Sequence, residues 1–387
     1  MTLKSNRNNN RSIRRPASFL RKFCITLLWI LTIFAAFGLL AASFGGNVAP
    51  ESIKGICLMV LSFPAWLILM ILATVLDLVW CRKALTVCIL TFIACASAIW
   101  NYSPLNLTKP SLEKYASDPR FTFMTYNVAN FNDMEGKMPD GYNPTLSYIL
   151  KINADIVNLQ EVQVLSPDKG LQITTAQLDS LHRAYPYVIK YGHSQALFSK
   201  YPAESIHTPG SDNHLNEIAV FRLNIEGEHI TLINVHLQSY GLTPSDKELY
   251  KDITKFDEKD GGLKNTIKDV KSSLLSKVQA AAVQRKLDTD RLCSYIERFG
   301  GPNVIVAGDF NDVPGCYALR NLAEYKMREV YPELGFGPMV TFNKDRFYFR
   351  IDHILYRGDV KPLRMYRGSV RLSDHYPLMA TFAITDK

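Results

Sequence analysis

Asn303-Val-Ile-Val-Ala-Gly308-Asp309-Phe310-Asn311-Asp312 decides how most of this chain reads. A β-branched apolar run of this length predicts a buried strand. It stops abruptly at a carboxylate, with an amide two residues later. The same event occurs three times upstream: Phe121-Thr-Phe-Met-Thr-Tyr126 ends at Asn127, Ala154-Asp-Ile-Val-Asn-Leu-Gln160 at Glu161, and Ile230-Thr-Leu-Ile-Asn-Val235 at His236. One strand ending in a polar residue means little, because strands must end and loops are polar. Four of them, delivering only Asn, Glu, His and Asp, point to convergence on one rim.

Two downstream segments share this character. In Arg350-Ile-Asp-His-Ile-Leu-Tyr356 the alternation of a strand puts Asp352 on the opposite face from Ile351, His353 and Leu355, so His353 reads as a core residue. Ser373-Asp374-His375-Tyr376-Pro377 precedes a last apolar strand, Leu378 to Ile384. The carboxylates Glu161, Asp309 and Asp374, with the amides Asn127 and Asn311, are hard oxygen donors that suit Mg²⁺ or Mn²⁺ rather than zinc. The sequence has no C-x-x-C, no H-E-x-x-H, no G-x-x-x-x-G-K-[ST] and no G-x-S-x-G. Carboxylates, amides and two candidate imidazoles remain. That set fits metal-assisted attack of water on a phosphate ester.

In this order, Tyr126-Asn-Val128, Leu159-Gln-Glu-Val162, Asn234-Val-His-Leu-Gln-Ser239, Gly308-Asp-Phe-Asn-Asp312, Arg350-Ile-Asp-His353 and Ser373-Asp-His-Tyr-Pro377 resemble the endonuclease/exonuclease/phosphatase family. The resemblance runs from about Phe121 to Ile384, and bacterial members with membrane-spanning N-termini are similar. It implies an α+β fold, a four-layer α/β sandwich of two packed mixed β-sheets flanked by helices. It also implies Glu161 as the principal metal ligand, with Asn127 beside it and Asp374 helping directly or through water. Asp309 would position and activate the attacking water, and Asn311 would hold that water or a phosphate oxygen. Asp352 and His375 would form a carboxylate–imidazole pair, and His236 would be the second imidazole. The substrate would be a phosphate ester of a lipid, a nucleic acid or a small molecule.

Gly192-His-Ser-Gln-Ala-Leu-Phe-Ser199 departs from the family's more apolar run, which leaves open what orients His236. Glu217 is one candidate; a solvated loop acid is the alternative. His182, His193, His207, His214 and His229 lack any motif and read as surface or supporting residues. Tyr240 to Lys286 is charge-dense and sign-mixed, either a lid or a solvated helix face, and a helix is expected from about Thr266 to Arg298. A module of this fold that binds at the cell envelope without catalysis is the alternative function.

The N-terminal third is different. No charge interrupts Phe23 to Pro50, Gly55 to Leu76 or Ala84 to Thr108. Each stretch exceeds the roughly 20 apolar residues that span a bilayer core. Three transmembrane helices are expected, at about 23–43, 56–79 and 84–100, after a basic tail of residues 1–22. A polar, turn-rich linker over 101–120 then leads to a catalytic domain over 121–387. Residues 1–22 hold seven basic side chains and no acid, and Arg82-Lys83 fill the turn between the second and third spans. That bias places the N-terminus in the cytoplasm and, after three crossings of an inner or plasma membrane, the catalytic domain outside it.

The whole chain of 387 residues carries a formal charge of +8, from 44 basic and 36 acidic side chains. Removing the ten basic and two acidic residues of positions 1–108 leaves 34 of each, so no basic nucleic-acid footprint can be read from the total. A Cys293–Cys316 bridge is conceivable, though spacing alone cannot establish it.

Overall fold

The computed structural model describes residues 16–132, 141–207, 217–241, 263–344 and 347–385, with side chains from Phe19 in the first helix and from Leu275 in the 263–299 helix. Most of the basic tail, His214 and the stretch 242–262 lie outside the described residues. The chain forms two units, one of residues up to Ala41 with Ser62–Cys95, the other of Ala42–Leu61 with Ala96–Lys387.

The first unit is helical. Among the described residues two helices are long and apolar enough to cross a membrane, over Phe19–Asn47 and Phe63–Trp80, and a pair bent by 61°, Arg82–Ala94 and Ala96–Tyr102, would make a third. The second span thus begins at Phe63 rather than at 56, because Ile56–Leu61 is a separate short helix belonging to the other unit. Asp77 is fully buried between helices, accepting from Thr32 Oγ1 at 2.6 Å and Cys88 Sγ at 3.6 Å.

In the second unit the strands are β1 (Arg120–Asn127), β2 (Ile156–Gln160), β3 (Tyr187–Tyr191), β4 (Gln195–Ser199), β5 (Ala203–Ser205), β6 (Ile218–Ile225) and β7 (Glu228–His236). They continue as β8 (Asn303–Asp309), β9 (Arg328–Glu329), β10 (Phe342–Lys344), β11 (Phe347–Phe349), β12 (Asp352–Arg357), β13 (Val360–Arg367) and β14 (Leu378–Ile384). One six-stranded sheet has the order β13-β14-β1-β2-β4-β3, the other β5-β6-β7-β8-β12-β9, and β10-β11 form a hairpin. Both sheets are mixed, since β1–β2 and β7–β8 are parallel and β1–β14 and β8–β12 antiparallel.

Period-two alternation sorts the side chains into layers. Phe121, Phe123 and Phe382 of the first sheet pack with Phe221, Leu232, Ile305 and Ile354 of the second. Met124 and Tyr126 point the other way, against Leu146, Ile149 and Leu181 of the helices Pro144–Ile152 and Thr175–Ala184. Val304 and Val306 likewise turn outward onto Leu292 and Ile296 of the helix Leu263–Phe299. The result is helix, sheet, sheet, helix: the four-layer α+β sandwich. Local signals set the helix starts. Asn143 accepts from the Leu146 N–H with Pro144 following, and Thr174 with Gln177 forms a reciprocal capping box.

The linker and the segment before the second apolar helix are both bonded to the domain. The linker is held by Asn106 Nδ2 on Pro332 O and Gly335 O, and by Arg364 Nη1 on Pro110 O. Residues 43–61 place Val60 in the same buried cluster as Val235, Phe310 and Leu322. All seven cysteines are free, so Cys293 and Cys316 are not bridged.

His353 is fully buried as expected, yet its surroundings are polar. Its Nδ1 faces Glu329 Oε1 at 2.7 Å, and its Nε2 faces Asp312 O at 3.0 Å. Arg350 completes the cluster 3.4 Å from the same Glu329 oxygen. Burial would raise the Glu329 carboxyl, but Arg350 and His353 outweigh it and hold the group below its ordinary value of 4.5. Its contribution to stability is therefore complete above about pH 4.5 and fades as the pH falls through the lower folded value. Glu329→Gln should destabilise this unit by about 3–5 kcal/mol at pH 7, because it leaves the buried Arg350 charge unpaired. Thermal unfolding as a function of pH should show the gap to wild type closing below pH 4.5; a pH-independent gap would refute the assignment.

Candidate active site

Register builds the centre of the site. Asp309 is the last residue of β8; its ladder partner on one side is His236 of β7 and on the other Asp352 of β12. Three functional side chains thus stand in a row at one end of the second sheet. Gly308 makes the close approach possible: its φ is +143°, and a Cβ there would overlap Val235 O. Facing them from the first sheet, Asn127 ends β1 opposite Gln160, and Glu161 follows β2. Glu161 and Asn311 both adopt left-handed backbone, with φ of +55° and +51°. Non-glycine residues seldom accept this, and it concentrates at functional turns.

Hydrogen bonds then knit the rows together. Asn127 Nδ2 donates to Glu161 Oε1 and to Asp309 Oδ2, both at 3.0 Å. His375 Nδ1 lies 2.9 Å from Asp352 Oδ2, and its Nε2 lies 3.5 Å from Asp309 Oδ2. His236 Nε2 lies 3.7 Å from Glu161 Oε1 and 3.8 Å from Asp309 Oδ2. The Asn311 backbone N–H donates to Asp309 Oδ1 at 2.8 Å, while its amide nitrogen donates to Leu237 O at 2.9 Å. Asn311 therefore holds Asp309 still. Ser373 Oγ donates to Asn127 O at 2.8 Å and brings the segment carrying His375 against β1.

Seven of the eight residues expected from sequence (Asn127, Glu161, His236, Asp309, Asn311, Asp352 and His375) form this one network. The eighth, Asp374, sits beside it with its carboxylate turned to Lys344 Nζ at 2.9 Å. Glu217 does not orient His236. Its carboxylate accepts the backbone N–H groups of His193 and Ser194, and only its backbone carbonyl meets His236, at the ring residue's own N–H. His236 Nδ1 is buried with no hydrogen-bond partner among the described residues. Lys344, on the β10–β11 hairpin, was not anticipated; no motif marked it.

A second group missed from sequence lies just inside. Asn158 Nδ2 and Gln160 Nε2 both donate to Asn234 Oδ1, at 3.0 and 2.6 Å, and Asn234 Nδ2 donates to Leu159 O at 2.8 Å. This amide layer bridges the two sheets directly beneath the site. Its signal was present: Asn158 and Gln160 occupy alternate positions of a strand, on one face, where apolar residues are the default.

Charge is distributed unevenly. Burial pushes the Asp309 carboxyl up, against the pull of His375. Burial would lower the His375 imidazole, but Asp352 and then Asp309 outweigh it and hold it at about 10, so the ring is cationic at neutral pH. Asp309, Asp352 and His375 place their polar atoms within 4.8 Å of one another, a spacing that a metal could use. A protonated ring between two acids repels a cation, however, and the trio is already satisfied internally. Glu161 is the better holder of a hard ion. Its side chain is 34% exposed at the mouth of the site, whereas that of Asp309 is 1% exposed. An oxygen donor of this kind, next to an amide and a second carboxylate, fits Mg²⁺ or Mn²⁺.

Solved structures similar to this chain include a humanised TDP2 from D. rerio, at 18% identity and a TM-score of 0.43, covering 68% of this chain and 98% of that one. An endonuclease/exonuclease/phosphatase family protein from Bacteroides thetaiotaomicron is similar at 16% identity and TM-score 0.43, over 70% of this chain and 99% of its own. One from Beutenbergia cavernae is similar at 16% and 0.43, over 69% and 72%. No curated protein matches the sequence. The model of the Endonuclease/Exonuclease/phosphatase family, however, matches residues 124–375, the span that contains all eight candidate residues. With its two packed six-stranded sheets and this match over most of its length, the chain belongs to the endonuclease/exonuclease/phosphatase family.

Proposed function

We propose that this protein is a membrane-anchored phosphoesterase, dependent on Mg²⁺ or Mn²⁺, that cleaves phosphate esters with a water nucleophile set by Asp309. The observation that carries this is the row His236–Asp309–Asp352, with His375 closing on Asp309 and Glu161 facing it. Asp309, buried and with its proton affinity raised by that burial, is suited to take the proton of an attacking water. Asn311 and Asn127 fix its two oxygens. His375, kept charged by Asp352, presents a cation to the phosphoryl oxygens as negative charge grows on them. His236 stands on the other side of Asp309, where it can protonate the leaving oxygen. Glu161, with Asn127 beside it and Asp374 nearby, would hold the metal ion, whose charge would offset that of the phosphoryl oxygens.

Removing Asp309 or His375 should lower turnover of bis(p-nitrophenyl) phosphate by the full-length protein in detergent at least roughly 10²-fold as alanine variants. EDTA should abolish turnover and added Mg²⁺ or Mn²⁺ should restore it. Undiminished activity in both variants, or in EDTA, would defeat the proposal; no activity on plasmid DNA, sphingomyelin, phosphoinositides or the synthetic diester would favour a silent binding module.

We further propose that the chain spans the inner or plasma membrane three times, with the N-terminus cytoplasmic and the catalytic residues outside. Besides the Lys/Arg bias, one packing fact supports it. Val60 shares a buried cluster with β6, β7 and β8, so the segment between the first two apolar helices lies on the same side as the catalytic residues. The chain between them must then cross an even number of times, which Phe63–Trp80 and the bent pair ending at Tyr102 can supply. An alkaline phosphatase reporter fused after Lys83 should be inactive and one fused after Lys387 active in a bacterial host. The reverse pattern would overturn the orientation.

A further inference from the structure

Residues 43–61, from the end of the first apolar helix to the break before the second, do more than connect them. Arg320 Nη2 donates to Ser43 O at 3.0 Å, Gln279 accepts the Gly55 N–H at 3.0 Å and donates to Pro50 O, and Lys286 faces Glu51 at 3.6 Å. Gly46 lies so close to Gly315 O that a Cβ would overlap it. Beneath this segment is a cavity of about 20 Å³ lined by Gly46, Pro50 and Cys57 on one side and by Arg285, Asp312 and Cys316 on the other.

Arg285 is the group that this cover keeps from water, at 2% exposure. Its Nε donates to Asp312 Oδ2 at 3.0 Å, and its Nη1 donates to Gln238 O at 3.0 Å. The guanidinium also lies 4.3 Å from the ring centre of Tyr240. Gln238 comes two residues after His236, and Asp312 directly follows Asn311. One side chain therefore ties together the two loops that carry a catalytic imidazole and the amide holding Asp309. The Asn311 amide bond to Leu237 O spans the same gap. Solvent would weaken this fork, because exposed ion pairs are screened and mobile whereas buried ones are not.

We propose that residues 43–61 act as a strap that keeps Arg285 dry and so fixes the spacing of His236 and Asn311, making the membrane-proximal segment part of the catalytic apparatus. Arg285 touches no reacting atom; it is a positioning residue. For its rate readout this proposal rests on the phosphoesterase reading above, and for its structural readout it does not.

The test uses full-length protein in nanodiscs. Arg285→Met and Gly46→Leu should each lower kcat on bis(p-nitrophenyl) phosphate about 10- to 100-fold, with KM changed less than about 3-fold, the scale of loss expected from small misplacement of catalytic groups. Arg285→Lys should recover part of the loss, since it restores charge but not the fork. The double variant should be within about 3-fold of the worse single variant, because both act through one contact. Gln279→Ala, which loosens the strap without adding bulk, covers the case in which Gly46→Leu does not fold. Independently of any turnover, hydrogen exchange at amides 236–241 and 310–316 should accelerate when the strap is loosened. Unchanged exchange in both loops, an unchanged kcat beside an active wild type, or multiplicative losses in the double variant would overturn the proposal. A wild type inactive on every ester would count against the phosphoesterase reading alone, and exchange would then decide the strap.

Discussion

The placement of one buried carboxylate governs this molecule. Asp309 is removed from water at the end of a central strand, and removal from water penalises its charge. Everything around it answers that penalty: an imidazolium at 3.5 Å, an amide on each oxygen and a second imidazole at 3.8 Å. These groups come from four separate segments of the chain. They meet only because β7, β8 and β12 pair in one register, and a one-residue slip would turn each side chain to the opposite face.

The sandwich provides that precision at its own expense of uniform packing. Most of the space between the sheets is filled by Phe, Leu and Ile, but the layer under the site is built of Asn158, Gln160 and Asn234. Buried amides are favourable only when their partners are in place, so they fix the relative position of the two sheets more sharply than interchangeable apolar contacts would. Glu161 and Asn127 belong to the first sheet, His236 and Asp309 to the second. Sheet-to-sheet registration is thus what sets the distance between Glu161 and Asp309.

The N-terminal third enters the same account through its loop rather than its helices. Val60, which reads as part of a long apolar span, is buried in the sandwich unit, and the linker after Tyr102 is bonded along the domain instead of trailing from it. Hydropathy alone could not separate these fates, because a residue buried in protein and one buried in lipid are apolar for the same reason. The position of the helix break at Ser62, preceding Phe63-Pro64, follows instead from local chemistry, with Pro at the start of the following helix.

Sequence by itself marked the strands that carry the candidate residues and the membrane-length apolar stretches, because both are written in local periodicity and in where an apolar run ends; the four-layer class and the roles of the eight polar residues came from the resemblance of the ordered motifs. Sequence left open what depended on partners. Glu217 was one candidate to orient His236, and its carboxylate is taken up by two backbone N–H groups; His353 is in the core as read, but hydrogen-bonded there to Glu329 and to the carbonyl of Asp312. The resemblance implied that Asn311 holds water or a phosphate oxygen; its donors here meet Asp309 and Leu237, partners the sequence did not name. Lys344 carried no local mark, and although the alternation of Asn158 and Gln160 was visible, neither their partners nor those of Arg285 were. Which hydrogen-bonding group a buried polar atom finds is settled by residues tens to hundreds of positions away. Only the packing of the two sheets and their covering helices decided those pairings.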